Sequence, residues 1–508
     1  MSAKTLMVQG TASSVGKSII VAALCRILHQ DGYKVAPFKS QNMALNSFVT
    51  REGGEIGRAQ AVQAEAAGVE PTVDMNPVLL KPEADSRSQV IVSGKVVKTL
   101  PASQYYEFTP TLLKTIEESL ARLRAAYDVV VIEGAGSPAE INLKEREIVN
   151  MRVAKMAEAP VLLVGDIDRG GVFASIVGTL ELLDASERDL VKGFIINKFR
   201  GDVSLLRPGL DMLEKKCGRP VLGVIPFLHD LKIAQEDSVY LDERSEKNGG
   251  ADIDVAVIHL PYTSNYDDFD PFEHHGCRVR YVSDAAALGV PDLIIIPGTK
   301  TTIADLGFLR RSGLAVAIIR LARGGTPVVG ICGGYQMLGK RINDPLLVES
   351  REATVEGLGL LDVETTFVAD KTTSQVKAVV VAGTGLFAGL KGIEVGGYEI
   401  HMGQTEGQDG RGAFRVVETP RGNADYVDGS TSDDCQVFGS YIHGLFHNEA
   451  FTDGVLSYLR KRRGLSSSPE LPKAVDEYDV LAKAVRESLN MKAVYGIAGL
   501  DATRANPG

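Results

Sequence analysis

The sequence predicts an α/β protein made of two parallel-sheet units in succession, closed by a short helical C-terminal tail. Three observations predict it. Strand-length apolar runs alternate with helix-period segments over about the first 230 residues, and the later runs, from Val129 on, are each followed by Gly, Asp, Glu, Asn or Pro. A polar, charged stretch then intervenes, with Asn248-Gly249-Gly250 inside it. The alternation resumes beyond it. Continuous apolar strands separated by helices mean parallel sheets covered on both faces, with ligands at the carboxyl ends of the strands.

In the first unit the strands are read at 6–9, 34–38, 129–132, 161–164, 193–196 and 221–225. Between the first two, residues 17–30 have helical spacing, with Ile20, Ala23, Leu24, Ile27 and Leu28 on one face. The second unit has strands at 255–260, 279–282, 293–297 and 327–331, then a β-rich portion from Thr354 to about Val437. Residues 476–489 carry Val480, Leu481, Ala484, Val485 and Leu489 at helical spacing. The expected organisation is a unit over 1–232, a linker over 233–251, a second unit over 252–450 and a helical extension over 451–508.

Length and composition bound the function. At 508 residues the chain exceeds one core, and roughly 100–200 residues per domain implies two to four units. A net charge of −10 and the lack of a basic block argue against nucleic-acid binding. No apolar run approaches the roughly 20 residues of a membrane span. The five cysteines are odd in number and lack metal-ligand spacing, which reads as free thiols in a reducing cytoplasm. The expected partners are small molecules; the oligomeric state is not legible.

Residues Gly10-Thr11-Ala12-Ser13-Ser14-Val15-Gly16-Lys17-Ser18 follow a strand and open a helix, the setting of a phosphate-binding P-loop. Glycines let the backbone amides of this loop converge on phosphate oxygens. Lys17 is expected to reach the terminal phosphates of ATP, and Ser18 a Mg²⁺ ion. Glu133, at the end of a strand beside Gly134 and Gly136, suits a second magnesium ligand. Asn197, after the strand 193–196, suits a contact to adenine. A solvated lysine, a helix cap and a turn asparagine are the plainer readings of the same residues.

A second chemistry lies at Gly330-Ile331-Cys332-Gly333-Gly334. A strand, a small-residue turn around a lone cysteine and a helix form a nucleophile elbow. The backbone N–H after the nucleophile can hold an oxyanion there. A thiol nucleophile needs a base, and His443, ending a strand-like run, is the candidate. The plainer reading of Cys332 is a small buried residue at a turn.

The P-loop, one residue longer than usual, resembles that of dethiobiotin synthetase and its relatives. Partitioning ATPases carry an extra lysine where this chain has Ala12. The second unit resembles the class I glutamine amidotransferase domain, with Cys332 matching the nucleophile, His443 the base, and Gly298 and Gly333 the oxyanion amides. That class has glutamate two residues after the histidine, and here the place is Leu445. The orienting acid is therefore missing or supplied from elsewhere, with Glu399 a carboxylate to test.

Jointly the two units resemble the cobyric acid synthase family. Residues 38–47, 55–60, 75–82 and 134–143, which a generic P-loop does not require, carry that resemblance. It implies ATP- and glutamine-dependent amidation of adenosylcobyrinic acid a,c-diamide at carboxylates b, d, e and g, with Mg²⁺ as cofactor and cobalt present only in the corrinoid. Lys39, Asn42, Asn46, Lys81 and Arg87, which follow early strands or lie in polar loops, are the candidate contacts to the corrinoid. The competing readings are another amidotransferase, such as cobyrinic acid a,c-diamide synthase, or a P-loop switch protein with an inactive glutaminase-like domain.

Overall fold

A computed structural model describes residues 2–83, 87–228, 231, 233, 251–407, 410–465 and 475–501. The linker expected over 233–251 lies, but for 233 and 251, outside the described residues. The first unit is a six-stranded parallel sheet in the order 221–226, 191–199, 161–166, 4–10, 129–133, 35–38. The strand Lys4–Gly10 runs along its middle, with Gly10 opposite Val164 and Val8 opposite Glu133. Its carboxyl end therefore opens between Glu133 and Asp166. Helix Lys17–Gln30 follows and buries Ile20, Ala23, Leu24, Ile27 and Leu28, the face expected from the spacing.

The second unit repeats the plan. Strands 278–282, 254–258, 293–296, 328–331 and 437–440 are parallel, and 430–431 adds an antiparallel edge. Gly330 sits opposite Ile296 on one side and Gly439 on the other. That register places Gly298, Cys332 and His443 at one end of the sheet. The β-rich portion is a separate seven-stranded sheet built on the long strands Val363–Val380 and Glu394–Gly407.

The sequence left two features unassigned. A four-stranded sheet (41–43, 78–83, 87–92, 95–101) and a two-stranded ribbon (47–49 with 55–57) branch off the first unit. The ribbon packs on the long strands of the second unit. Val49 clusters with Tyr398 and Ile400, Gln375 Nε2 donates to the Val49 carbonyl at 3.0 Å, and Thr373 Oγ1 to that of Gly53 at 2.8 Å. Buried beside it, Glu55 pairs with Lys81 at 2.9 Å and with Lys371 of the second unit at 2.5 Å.

The terminal helices divide between the units. Helix Glu449–Arg462 puts Phe451, Val455 and Leu456 into the second core. Helices Glu477–Ser488 and Met491–Ala498 return to the first, packing Leu481, Val485 and Tyr495 with the core that holds Ile20 and Leu24. Each fully buried Leu or Val contributes about 1.5–3 kcal/mol to that docking. Arg486 to Asp31 (2.9 Å) and Arg26 to Asp479 (2.7 Å) fix its register. No helix among the described residues is long and apolar enough to cross a membrane.

Candidate active site

The loop after the central strand turns through Ser14 (φ 56°) and Gly16 (φ 98°), both in the left-handed region. A Cβ on Gly16 would lie 2.2 Å from Asn197 Nδ2, so glycine is needed for space as well as for φ. Lys17 reaches back across the loop, its Nζ donating to the carbonyls of Ala12 (2.9 Å) and Gly136 (3.0 Å). Thr11 N donates to the Val164 carbonyl, which takes that amide out of the phosphate cradle. Ser13, Ser14, Gly16, Lys17 and Ser18 face the adjoining cavity, whereas Gly10, Thr11 and Val15 do not line it.

Glu133 and Ser18 meet as the motif suggested, with Ser18 Oγ donating to Glu133 Oε1 at 2.8 Å. Lys39 Nζ is 3.0 Å from the same oxygen, and Gln63 Nε2 donates to Oε2 at 2.5 Å. Burial alone would push the Glu133 carboxyl up. The Lys39 charge and the three hydrogen bonds outweigh it and hold the group ionised. A hydroxyl and an ionised carboxylate are the hard oxygen donors that Mg²⁺ takes, along with phosphate and water. Among the described residues no cluster of three or more His, Cys, Asp or Glu forms a metal cage, and a magnesium held partly by phosphate requires none.

At the second sheet, Cys332 adopts φ 51°, ψ −107° between its strand and the helix Gly333–Leu338. Crowding imposes its glycine neighbours: a Cβ on Gly334 would sit 2.0 Å from the Ile296 carbonyl oxygen. Gly298 lies against the His443 ring, since a Cβ there would be 2.9 Å from Cε1. Gly333 packs on Thr299 in the same way. Gly298 thus stands beside His443, and Gly333, directly after Cys332, stands beside the loop that carries Gly298. Asp305, buried, accepts from Thr299 Oγ1 and from Tyr262 N (3.3 Å), tying down the loop that carries Gly298.

A carboxylate does reach His443, from Asp268. Its Oδ2 lies 2.7 Å from His443 Nδ1, and its Oδ1 accepts from Gly444 N at 2.8 Å. Both side chains are almost fully buried. Burial alone would drive the imidazolium pKa down; the Asp268 charge and hydrogen bond, with the contact to Cys332, hold it up at about 10. Glu399 instead accepts from Tyr426 Oη at 2.7 Å. A nearby imidazole, His401, stacks on Tyr441 with centroids 3.7 Å apart, and burial pulls its pKa down to about 4. Asp268 lies in the short 3₁₀ turn Tyr266–Phe269, with no spacing relation to the histidine. Sequence reasoning had no signal for it.

Comparison with known proteins gives the family. Residues 6–239 match the CobQ/CobB/MinD/ParA nucleotide binding domain, and residues 254–451 the CobB/CobQ-like glutamine amidotransferase domain. A cobyric acid synthase from Dehalococcoides mccartyi is 60% identical over 97% of this chain and 99% of its own length. Those of Sorangium cellulosum (55%, over 99% and 100%) and Moorella thermoacetica (53%, over 98% of each) align as fully.

The chain belongs to the cobyric acid synthase family.

Cobyric acid synthases are ATP-dependent glutamine amidotransferase ligases of cobalamin biosynthesis, and both domains that such a reaction needs are present. A switch protein with an inactive glutaminase appendage is thereby set aside. A cavity of about 1830 Å³ opens on the P-loop and takes one wall from the second unit, including Tyr266, Arg278 and Tyr281. Ligand pockets for drug-sized molecules run to about 1,000 Å³, so the volume exceeds the needs of one such ligand. Of the candidate substrate contacts, Lys39 and Asn42 line this cavity. Asn46 and Lys81 do not: both are buried at the seam between units, Lys81 on Glu55 and Asn46 on the backbone of Asn265. Arg87 is exposed, at the start of a hairpin strand. Asn197 lines the cavity while its Nδ2 donates to the Val15 carbonyl at 2.8 Å, so it braces the loop as well.

Proposed function

We propose that this chain amidates adenosylcobyrinic acid a,c-diamide at carboxylates b, d, e and g, using ATP and glutamine through two centres. Residues 252–450 form the glutaminase and residues 1–232 the synthetase, with the helices of 451–508 serving both. The Asp268–His443 contact carries the glutaminase assignment, because it completes a nucleophile–base–acid set around Cys332.

In the glutaminase, His443 takes the Cys332 proton and Sγ attacks the glutamine side-chain carbonyl. The tetrahedral oxyanion is held by backbone amides at Gly298 and Gly333. Collapse breaks the C–N bond, and His443 returns its proton to the leaving ammonia. Water then cleaves the glutamyl thioester to glutamate and free thiol.

In the synthetase, the P-loop amides and Lys17 hold the ATP phosphates so that a corrinoid carboxylate attacks the γ-phosphorus in line. ADP leaves and an acyl phosphate forms. Magnesium, held by Ser18 and Glu133, would neutralise charge on the phosphate oxygens. Ammonia from Cys332 attacks the acyl carbon and phosphate departs. Lys39 and Asn42 face the acceptor. Positioning and exclusion of water supply much of the acceleration, since an acyl phosphate open to solvent hydrolyses.

The test is mass spectrometry of adenosylcobyrinic acid a,c-diamide after incubation with enzyme, Mg-ATP and glutamine. Carboxyl-to-amide conversions at b, d, e and g are expected, lost in Cys332→Ala and restored by added ammonia. Persistent glutaminase activity without conversion of this corrinoid would remove the substrate assignment.

A further inference from the structure

The acid that orients His443 is itself held from the other half of the chain. Asn265 has a left-handed backbone (φ 54°) and is 1% exposed. It makes a reciprocal pair across the seam: Ser47 N donates to its Oδ1 at 3.0 Å, and its own N–H donates to Asn46 Oδ1 at 2.7 Å. Two residues on, Asp267 Oδ2 forms an ion pair with Arg58 Nε at 3.0 Å, both side chains mostly buried. Asp268 comes next. Tyr398, whose ring stacks on His443 with centroids 5.3 Å apart, donates its hydroxyl to the Ser47 carbonyl at 3.2 Å.

The turn 266–269 is a short 3₁₀ segment, and such pieces have little stability of their own. Its place is set by what grips it: His447, Gly444 and the core around Phe269 from its own unit, and Asn46, Ser47 and Arg58 from the other. The same first-unit segments border the large cavity, through Gln41, Asn42 and Met43 before Asn46 and through Ala59 and Val62 after Arg58.

We infer that the Asn46–Ser47 segment, through Asn265, and Arg58 position the glutaminase, holding Asn265–Asp268 so that the Asp268 carboxylate meets His443. This rests on the Cys332–His443–Asp268 reading above. It gives Asn46 a role in place of the corrinoid contact its sequence context suggested. The glutaminase is then complete only when the synthetase half is docked.

The experiment uses the full chain as wild type, Asn265→Gly, Asn265→Asp and Arg58→Gln. Glycine accepts the left-handed backbone without strain, so Asn265→Gly removes the side-chain bond alone. Aspartate also tolerates that backbone and keeps the acceptor for Ser47 N. Glutaminase kcat, glutamine KM and pH profile are measured beside amidation driven by ammonium chloride. Asn265→Gly and Arg58→Gln are expected to lose about tenfold or more in kcat, roughly the worth of one hydrogen bond in the first and of one buried ion pair in the second, with KM nearly unchanged. In Asn265→Gly the alkaline limb moves to lower pH as Asp268 loosens. Ammonia-driven amidation persists, and Asn265→Asp recovers most of the kcat. Wild-type kcat and pH profile in both impaired designs, equal loss of ammonia-driven amidation, or an Asn265→Asp as poor as the glycine variant would each overturn the inference. A wild type without glutaminase activity would instead remove the triad reading, and this inference with it.

Discussion

Asp268 and His443 stand 175 positions apart in the chain and 2.7 Å apart in space, carboxylate against imidazole, both buried. The contact fixes which ring nitrogen faces Cys332, and it keeps the ring protonatable inside a site whose burial would otherwise strip the proton.

Replacing Asp268 by asparagine should therefore alter the glutaminase in two ways. The loss of an oriented base should lower kcat by about 10²-fold or more. The alkaline limb, where the imidazolium that protonates the leaving ammonia is lost at a His443 pKa held up at about 10, should fall by roughly 1–3 pH units when the opposite charge is removed. The stability sign follows. A histidine raised on folding stabilises fully below its unfolded pKa of about 6.5 and loses that contribution as pH rises toward its folded value. Between those pH values the wild type should lose more melting temperature than Asp268→Asn does. Rate profiles and thermal melts across that range check both.

Lys17→Ala should separate the two centres. Lys17 lies in the P-loop and donates to the Ala12 and Gly136 carbonyls of the first unit. Ammonia-driven amidation should fall by about 10²–10³-fold, the usual effect of removing a donor at a developing anion. Glutaminase activity should remain within a few-fold of wild type in a direct assay of glutamate release.

Asn197→Ala should raise the KM for ATP about tenfold. The side chain braces the Val15 carbonyl at 2.8 Å, and truncation leaves that buried acceptor without its donor. The same loss should cost about 1–3 kcal/mol of stability. ATP titrations and urea unfolding measure the two effects.

Glu55→Gln should open the seam between the units. One buried carboxylate serves two ammonium groups, Lys81 and Lys371. Burial raises the Glu55 carboxyl, but Lys371 and Lys81 outweigh it and hold it near 2; Lys371, desolvated and close to other cations, is drawn down to about 8. Removing the shared anion leaves uncompensated charge, at a cost of about 3–5 kcal/mol. A carboxylate lowered on folding stabilises above its unfolded pKa and loses that contribution as pH falls toward its folded one. The variant should be less stable than wild type near neutrality, and the gap should narrow below about pH 4. Denaturant titrations at several pH values provide the check.

The sequence by itself determined the two parallel sheets, and it marked the P-loop with Lys17 and Ser18, the turn at Cys332 and His443 as its candidate base. These were legible because their chemistry is local. A strand, a glycine turn and a helix start are contiguous in sequence, and apolar periodicity sets the register that brings neighbouring strand ends together. Tertiary structure alone decided the rest. Asp268 reaches His443 from a turn with no periodic signal, Asn46 and Lys81 turn to the seam rather than the cavity, and the last two helices dock on the first unit. Each of these is a long-range pairing of buried polar or apolar groups. Which partner satisfies a buried carboxylate or amide depends on how two cores meet, and residue spacing along one chain carries no record of that.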